Sequence, residues 1–251
     1  MMSAETLAPM VAKLARRSCL DEEARAHLLA LPHSLRKIEA RQHIVRQGDR
    51  ARHSALLLDG FAYRHKIVGD GGRQIVSVHM KGDLVDLQNS FLNAADHNVQ
   101  TLTDALVAFV PRDAIAALAA QNAQIGMALW IDTLVDGSIF REWIANVGRR
   151  DARMRTAHIL CEFAVRLEAA GLSQGPSYGL PMTQEQLADV LGLTPIHVNR
   201  TLKGLERDGL IARDKRSLRI TNRARLAAVG DFSDQYLHLE KQSVSLVAAA
   251  Q

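Results

Sequence analysis

Apolar positions change period several times along the chain, and each change marks an element. Between Glu22 and Leu31 they fall at helical spacing, with Asp21 placed to cap, acids in the first turn and Pro32 just past the end. From about residue 41 to 110 the period shortens to two. Phe61, Tyr63, His65 and Ile67 alternate with smaller or polar residues, and comparable runs end at Gln47-Gly48-Asp49, Asp59-Gly60, Asp70-Gly71-Gly72 and Lys81-Gly82-Asp83. Short strands closed by glycine turns predict an antiparallel barrel or jelly roll. Residues 84–100 carry weak strand signals and many polar groups, as a loop that lines a pocket would.

Helical period returns at Pro111-Arg112-Asp113-Ala114 and continues in a long helix from about Asn122 to Asn146. About 25 residues at ~1.5 Å rise span roughly 37 Å. Ile125, Ala128, Ile131, Val135 and Ile139 recur near helical spacing, with Trp130, Leu134 and Trp143 beside them. So wide a stripe predicts burial on several sides, against the barrel and against a twin subunit. Ile125, Ala128, Ile131, Val135, Ile139 and Trp143 are the positions assigned to that dimer interface. Gly148 and the polar residues after it break the pattern and place a domain boundary. Another helix follows over 152–170, and then a loop over 171–179 rich in glycine and serine.

The stretch from Met182 to Ile211 is the most specific. Thr183 with Gln186 three residues on has capping-box spacing, and Leu187, Val190 and Leu191 share one face. Gly192 ends that helix; Thr194 caps a second, with Pro195 at its first position. Val198, Leu202 and Leu205 point inward, which leaves His197, Asn199, Arg200 and Lys203 outside. A helix-turn-helix with that outer face is what reading a DNA major groove requires. Arg213 to Ile220 reads as a small hairpin, the wing. The remainder, 223–251, carries one helix (Arg223–Val229) and ends in Val244–Gln251, to which no structure is assigned.

Charge supports a polyanion partner by its placement more than its size. The net charge is only +4, yet nine basic residues face three acids between Pro195 and Arg225. An apolar fraction of 47% and a charged fraction of 23% suit globular cores. With no apolar run of ~18 residues and no signal-peptide plan at the start, a cytoplasmic protein away from membranes is expected. Cys19 and Cys161 are too few for a disulfide framework. Cys19, beside Arg16 and Arg17, is a candidate reactive thiol.

In this order of parts the chain resembles the cAMP receptor protein/fumarate-nitrate regulator (Crp/Fnr) family of bacterial transcription factors over about residues 20–220. The residues that carry the resemblance are Ile44-Val-Arg-Gln-Gly-Asp49, Leu57-Leu-Asp-Gly60, Gly82-Asp-Leu84, and Thr183-Gln-Glu-Gln-Leu-Ala through Gly209-Leu-Ile211. The resemblance implies an α+β chain: an N-terminal antiparallel β jelly-roll sensor of cyclic-nucleotide-binding type, a long dimerisation helix and a C-terminal winged helix-turn-helix. The boundaries then fall at 1–40 (helical segment), 41–120 (jelly roll), 121–148 (dimerisation helix), 149–222 (winged helix) and 223–251 (tail). It also implies a homodimer on a two-fold symmetric promoter site, with RNA polymerase as a partner.

The resemblance weakens at the sensor. Aligned from Gly82-Asp83, the Gly-Glu pair that holds the ribose in cAMP-binding members is replaced by Asp86-Leu87. The Arg-Ser pair that holds the cyclic phosphate is replaced by His97-Asn98. These four are the candidate effector-pocket residues. Without the arginine's bidentate donor, and with Asp86 adding negative charge, cAMP is not expected as the effector, whose identity stays open. Two cysteines cannot supply a four-cysteine iron–sulfur site. No cofactor is expected; haem, with His65, His79 or His97 as ligand, is the alternative, as is a thiol-based redox sensor. A cupin-type barrel enzyme would need clustered metal ligands, which these histidines do not form, so no catalytic or metal residue is assigned. A regulator with a vestigial pocket is a further alternative.

At the DNA, Thr183 and Thr194 are expected to meet phosphates at helix starts. By resemblance Arg200 falls on the base-reading arginine. The two earlier reading positions, Arg and Glu in cAMP-binding members, are here Pro195 and Ile196, so His197, Asn199 and Lys203 are left to supply the remaining contacts.

Overall fold

The computed structural model describes residues 5–240 except 51, 174 and 216. The N-terminal segment holds two helices, α1 (Ala8–Arg17) and α2 (Glu22–Leu29). The Asp21 carboxylate caps the second by accepting from the Ala24 N–H. The segment expected to be helical through residue 40 also contains strand β1 (Ser34–Ile38). As an exposed edge strand, β1 has no buried face and so lacks the alternation that marks one.

The barrel continues with β2 (His43–Val45), β3 (His53–Asp59), β4 (Ala62–Ile67), β5 (Arg73–His79), β6 (Asn98–Thr101) and β7 (Ala105–Pro111). Two antiparallel sheets result, ordered β1-β7-β3 and β2-β6-β4-β5. Their shared interior is built largely from small residues, among them Val45, Ala55, Ala62, Val99 and Ala105. Helix α3 (Arg112–Gln121) leads to α4 (Ala123–Arg149), whose first turn is capped by Asn122. No single helix among the described residues is long and apolar enough to cross a membrane. Only α3 and α4 together, bent by 120°, pass on length and composition.

The C-terminal domain comprises α5 (Ala152–Ala169), β8 (Ser177–Gly179), α6 (Gln184–Leu191), α7 (Pro195–Arg207), β9 (Ile211–Asp214), β10 (Ser217–Ile220) and α8 (Arg223–Val229). Strand β8 lies where the sequence indicated only loop. It pairs with β10 and is anchored by buried Tyr178, whose hydroxyl donates to the Leu160 carbonyl. Residues 223–240 are not a separate tail. Leu226 and Leu237 are fully buried in the main core, and Gly230 lies so close to α5 that a Cβ would sit 2.6 Å from the His158 nitrogen. The expected unstructured end, Val244–Gln251, and Arg216 of the wing lie outside the described residues.

Helix α4 carries two apolar stripes. Ile125, Ala128, Ile131, Val135, Ile139 and Trp143 are each at most 7% exposed within the single chain. They pack on the barrel, α1–α3 and α5, which corrects their assignment to the dimer interface. The other stripe runs Met127, Trp130, Leu134, Gly137, Arg141, Ile144 and Gly148, at alternating spacings of three and four. It is the open one: Trp130, Leu134 and Ile144 are 59%, 51% and 72% exposed.

A buried ionic cluster ties α1, α4 and α5 to the barrel. Lys13 Nζ lies 3.0 Å from Asp83 and 2.9 Å from Asp132, and Arg17 lies 2.9 Å from Asp132. Arg166 donates to the Val78 carbonyl and pairs with Glu162 at 3.2 Å. Glu162 also accepts from Trp143 Nε1 and from the Tyr236 hydroxyl. Burial alone would raise the Asp83 carboxyl. Lys13, His79 and Arg166 reverse that and hold it well below its ordinary value.

Two expected effector residues are structural. Asp86 accepts from Ser54 Oγ at 3.0 Å and the Ala55 N–H at 2.8 Å, stitching the turn onto β3. Leu87 is buried in the apolar cluster beneath α1–α3. Burial pushes the Asp86 carboxyl up to about 6, against the pull of its donors and of Arg64. A carboxyl raised in the folded state adds stability while protonated, and that contribution is lost as pH rises through about 6. Asp86→Asn keeps an acceptor and removes the charge. It should raise stability at about pH 8 by on the order of 3 kcal/mol and change little at about pH 3, below both the folded and the ordinary carboxyl value. Thermal denaturation at the two pH values checks this.

Candidate nucleic-acid interface and sensor cavity

The helix-turn-helix forms through the local chemistry that its sequence spells out. Thr183 Oγ1 accepts from the Gln186 N–H while Gln186 Oε1 accepts from the Thr183 N–H, a complete capping box. Gly192 ends α6 at φ +62°, a left-handed turn that glycine adopts without steric cost. Thr194 caps α7 by accepting from the His197 N–H, with Pro195 at the first helical position. Val198, Leu202 and Leu205 are at most 2% exposed and fix the helix on α5 and α6.

The outer face of α7 brings together most of the expected DNA-contact residues. Pro195, Ile196, Asn199, Arg200 and Lys203 line one open groove with Gln184 of α6. Asn199 Nδ2 donates to Gln184 Oε1 at 3.1 Å, which holds that amide in place. Among the described residues neither Arg200 nor Lys203 has an ion-pair partner, so both cations stay available. Thr183 and Thr194 are exposed at the two helix starts. His197 is turned aside, half-buried in a crevice with Asp151 and Arg153 at the start of α5. The wing is tied to α7 by Arg213 and Glu206 at 2.6 Å.

Two contacts that the sequence did not signal key this domain to the barrel. Arg73 of β5 pairs with Asp189 of α6 at 2.6 Å. Gln74 Nε2 donates to the carbonyls of Asp189 and Val190, and Arg155 to that of Leu191. These are the last carbonyls of α6, which have no acceptor role inside the helix, so barrel and α5 together cap its C-terminus. Nothing in the pattern of a single strand marks such a partner.

A cavity of about 860 Å³ lies between β4–β5, residues 88–97 and α4, where the sequence placed it. Ile75, Leu92, Phe140, Trp143 and Ile144 make it mainly apolar; Arg64, Lys66, Gln88, Asp96, His97 and Asp136 are its polar lining. Of the four expected effector residues only His97 is here. Asn98 instead accepts from the Gln47 N–H, because its strand parity turns it away. Burial, with Arg64 nearby, lowers the His97 imidazole below its ordinary value although Asp96 lies at 2.6 Å. Arg64, only 4% exposed, was missed by the sequence reading; it is bound to Asp136 at 3.0 Å and to the Val85 carbonyl at 2.7 Å.

The histidines considered as haem ligands lie apart in role. His79 is buried against Asp83 at 3.8 Å, and His65 lies between the rings of Tyr63 and His43, lowered to about 4 by burial. No group of three or more metal-ligating side chains occurs among the described residues. Cys19 is exposed, and the neighbouring Arg17 is spent on Asp132 and the Leu237 carbonyl.

Residues 35–122 match the cyclic nucleotide-binding domain, and residues 154–229 the Crp-like helix-turn-helix domain. The chain is 34% identical over 204 residues to the transcriptional activator protein FnrL of Cereibacter sphaeroides, covering 79% of this chain and 82% of that one. It is 26% identical to the nitrogen fixation regulation protein FixK of Azorhizobium caulinodans, over 80% of each chain. The solved structure of FixK2 from Bradyrhizobium japonicum superposes with a TM-score of 0.74 at 25% identity, covering 79% of this chain and 98% of that one. These relatives are regulators rather than enzymes. With its jelly roll, long helix and winged helix-turn-helix in this order, the chain belongs to the Crp/Fnr family and is a DNA-binding transcriptional regulator.

Proposed function

We propose that the protein acts as a homodimer on a two-fold symmetric promoter site, reading each half-site with the outer face of α7. The observation that carries this reading is the row Asn199, Arg200 and Lys203 on a capped helix, with neither cation in an ion pair among the described residues. Arg200 takes guanine O6 and N7 bidentately; Lys203, Thr183 and Thr194 meet phosphates. RNA polymerase is the expected protein partner at such a site.

The dimer seam is the open stripe of α4. Alternation of three and four is the 3.5-residue period of a coiled coil, and Gly137 at its middle lets two helices approach closely. Burying what is still exposed of Trp130, Leu134 and Ile144 against a partner contributes about 1–2 kcal/mol for each side chain. Ile144 and Gly137 also border the cavity, so a partner helix would close it. The effector, where one acts, is not cAMP. The cavity's one arginine is already spent on Asp136 and a carbonyl, and two carboxylates line the space where a cyclic phosphate would need unopposed donors.

Two outcomes test these roles. The double variant Leu134→Glu/Ile144→Glu, at sites exposed in the single chain, should sediment as a folded monomer where the wild type sediments as a dimer. Arg200→Ala should cost ~1–3 kcal/mol on a site selected in vitro by the wild type and relax preference at one base pair, whereas Lys203→Ala should weaken all sequences alike with a shallower salt dependence. An unchanged sequence preference in Arg200→Ala contradicts its assignment.

A further inference from the structure

We infer that Ile196 reads the C5-methyl group of a thymine in each half-site. The inference rests on the DNA-binding role of α7 and concerns one side chain of that surface. Ile196 is 82% exposed, more than any other large apolar side chain among the described residues. It is not a core residue out of register, since Val198, Leu202 and Leu205 fill the inner face completely. It stands in the first turn of α7, the part of such a helix that meets base edges.

Its surroundings make the apolar choice specific. Gln184, Asn199, Arg200, Lys203 and Arg207 share its groove and are polar or cationic; Pro195 is the one other apolar side chain there. An isoleucine with a single proline beside it, inside such a face, is a poor seat for an apolar protein surface, which needs a contiguous patch. In the major groove the thymine methyl is the one apolar group that a base edge offers. A cytosine or purine at that place would leave polar base atoms desolvated against the side chain. Branching at Cβ holds Ile196 in few rotamers on a helix, so little freedom is lost on contact. Pro195 before it fixes the backbone and offers no competing donor.

The test uses the full-length protein and a duplex carrying the site that the wild type selects in vitro. Each thymine of one half-site is replaced in turn by deoxyuridine, which removes only the methyl. One replacement should weaken wild-type binding about fourfold, the effect of burying one methyl-sized group. In Ile196→Ala the same replacement should have no effect, and selection with that variant should lose thymine at that position only. An unchanged melting temperature shows that the variant remains folded. A selected site whose thymines all tolerate loss of the methyl overturns this inference alone, as does an unaltered preference in Ile196→Ala. Failure of the wild type to select any sequence overturns the DNA-binding role and this inference with it.

Discussion

Six charged side chains, buried where α1, α4 and α5 meet the barrel, decide how the halves of the molecule are joined. Lys13, Arg17 and Arg166 balance Asp83, Asp132 and Glu162, so the cluster carries no net formal charge. Pairs of this kind add little net stability, because desolvating each ion offsets most of the attraction. What they fix is geometry, since any displacement that strands one partner leaves a buried charge uncompensated. Trp143 and Tyr236 extend the cluster through Glu162 into α4 and the segment after α8. The helix that spans barrel and reader is thereby held in one register on both. The contacts from Arg73 and Gln74 to α6 then have a fixed platform, and the strands that border the cavity also grip the first helix of the reader.

Local chemistry was legible in the sequence and long-range partnership was not. Caps, turn glycine and first-position proline of the helix-turn-helix involve residues within a few positions of one another, and each formed as read. The barrel strands formed, but burial does not alternate along β3 or β4. β3 is covered on both faces, Leu56 and Leu58 beneath α1–α3 and Ala55 and Leu57 inside the barrel, and on β4 Arg64 is buried while Ile67 is exposed. β1 and β8 were not legible: one lies exposed at an edge and the other is three residues long, stabilised by a buried tyrosine whose partner is 18 residues away. The cavity was located correctly but its lining was not. Asp86, Leu87 and Asn98 lie in the right stretch of chain and point elsewhere, while Arg64 and Asp136 come from a strand and a helix that sequence spacing cannot bring together.

Helix α4 shows the same limit in one element. Its two apolar stripes have periods so close that each passes for a helical face. Only packing shows that Ile125 through Trp143 serve the chain itself and that Trp130, Leu134 and Ile144 are left outside. A helix with two such faces has to be covered twice, once by its own chain and once by something else. The second copy proposed for that role would satisfy the requirement and set two α7 helices in the two-fold relation that a symmetric DNA site needs.

Hydroxyl-radical footprinting of the protein on its selected DNA site tests that two-fold symmetry most directly. Two protected half-sites, with centres about 34 Å apart along the duplex, are predicted at saturating protein. One protected half-site occupied by a single chain would contradict the account.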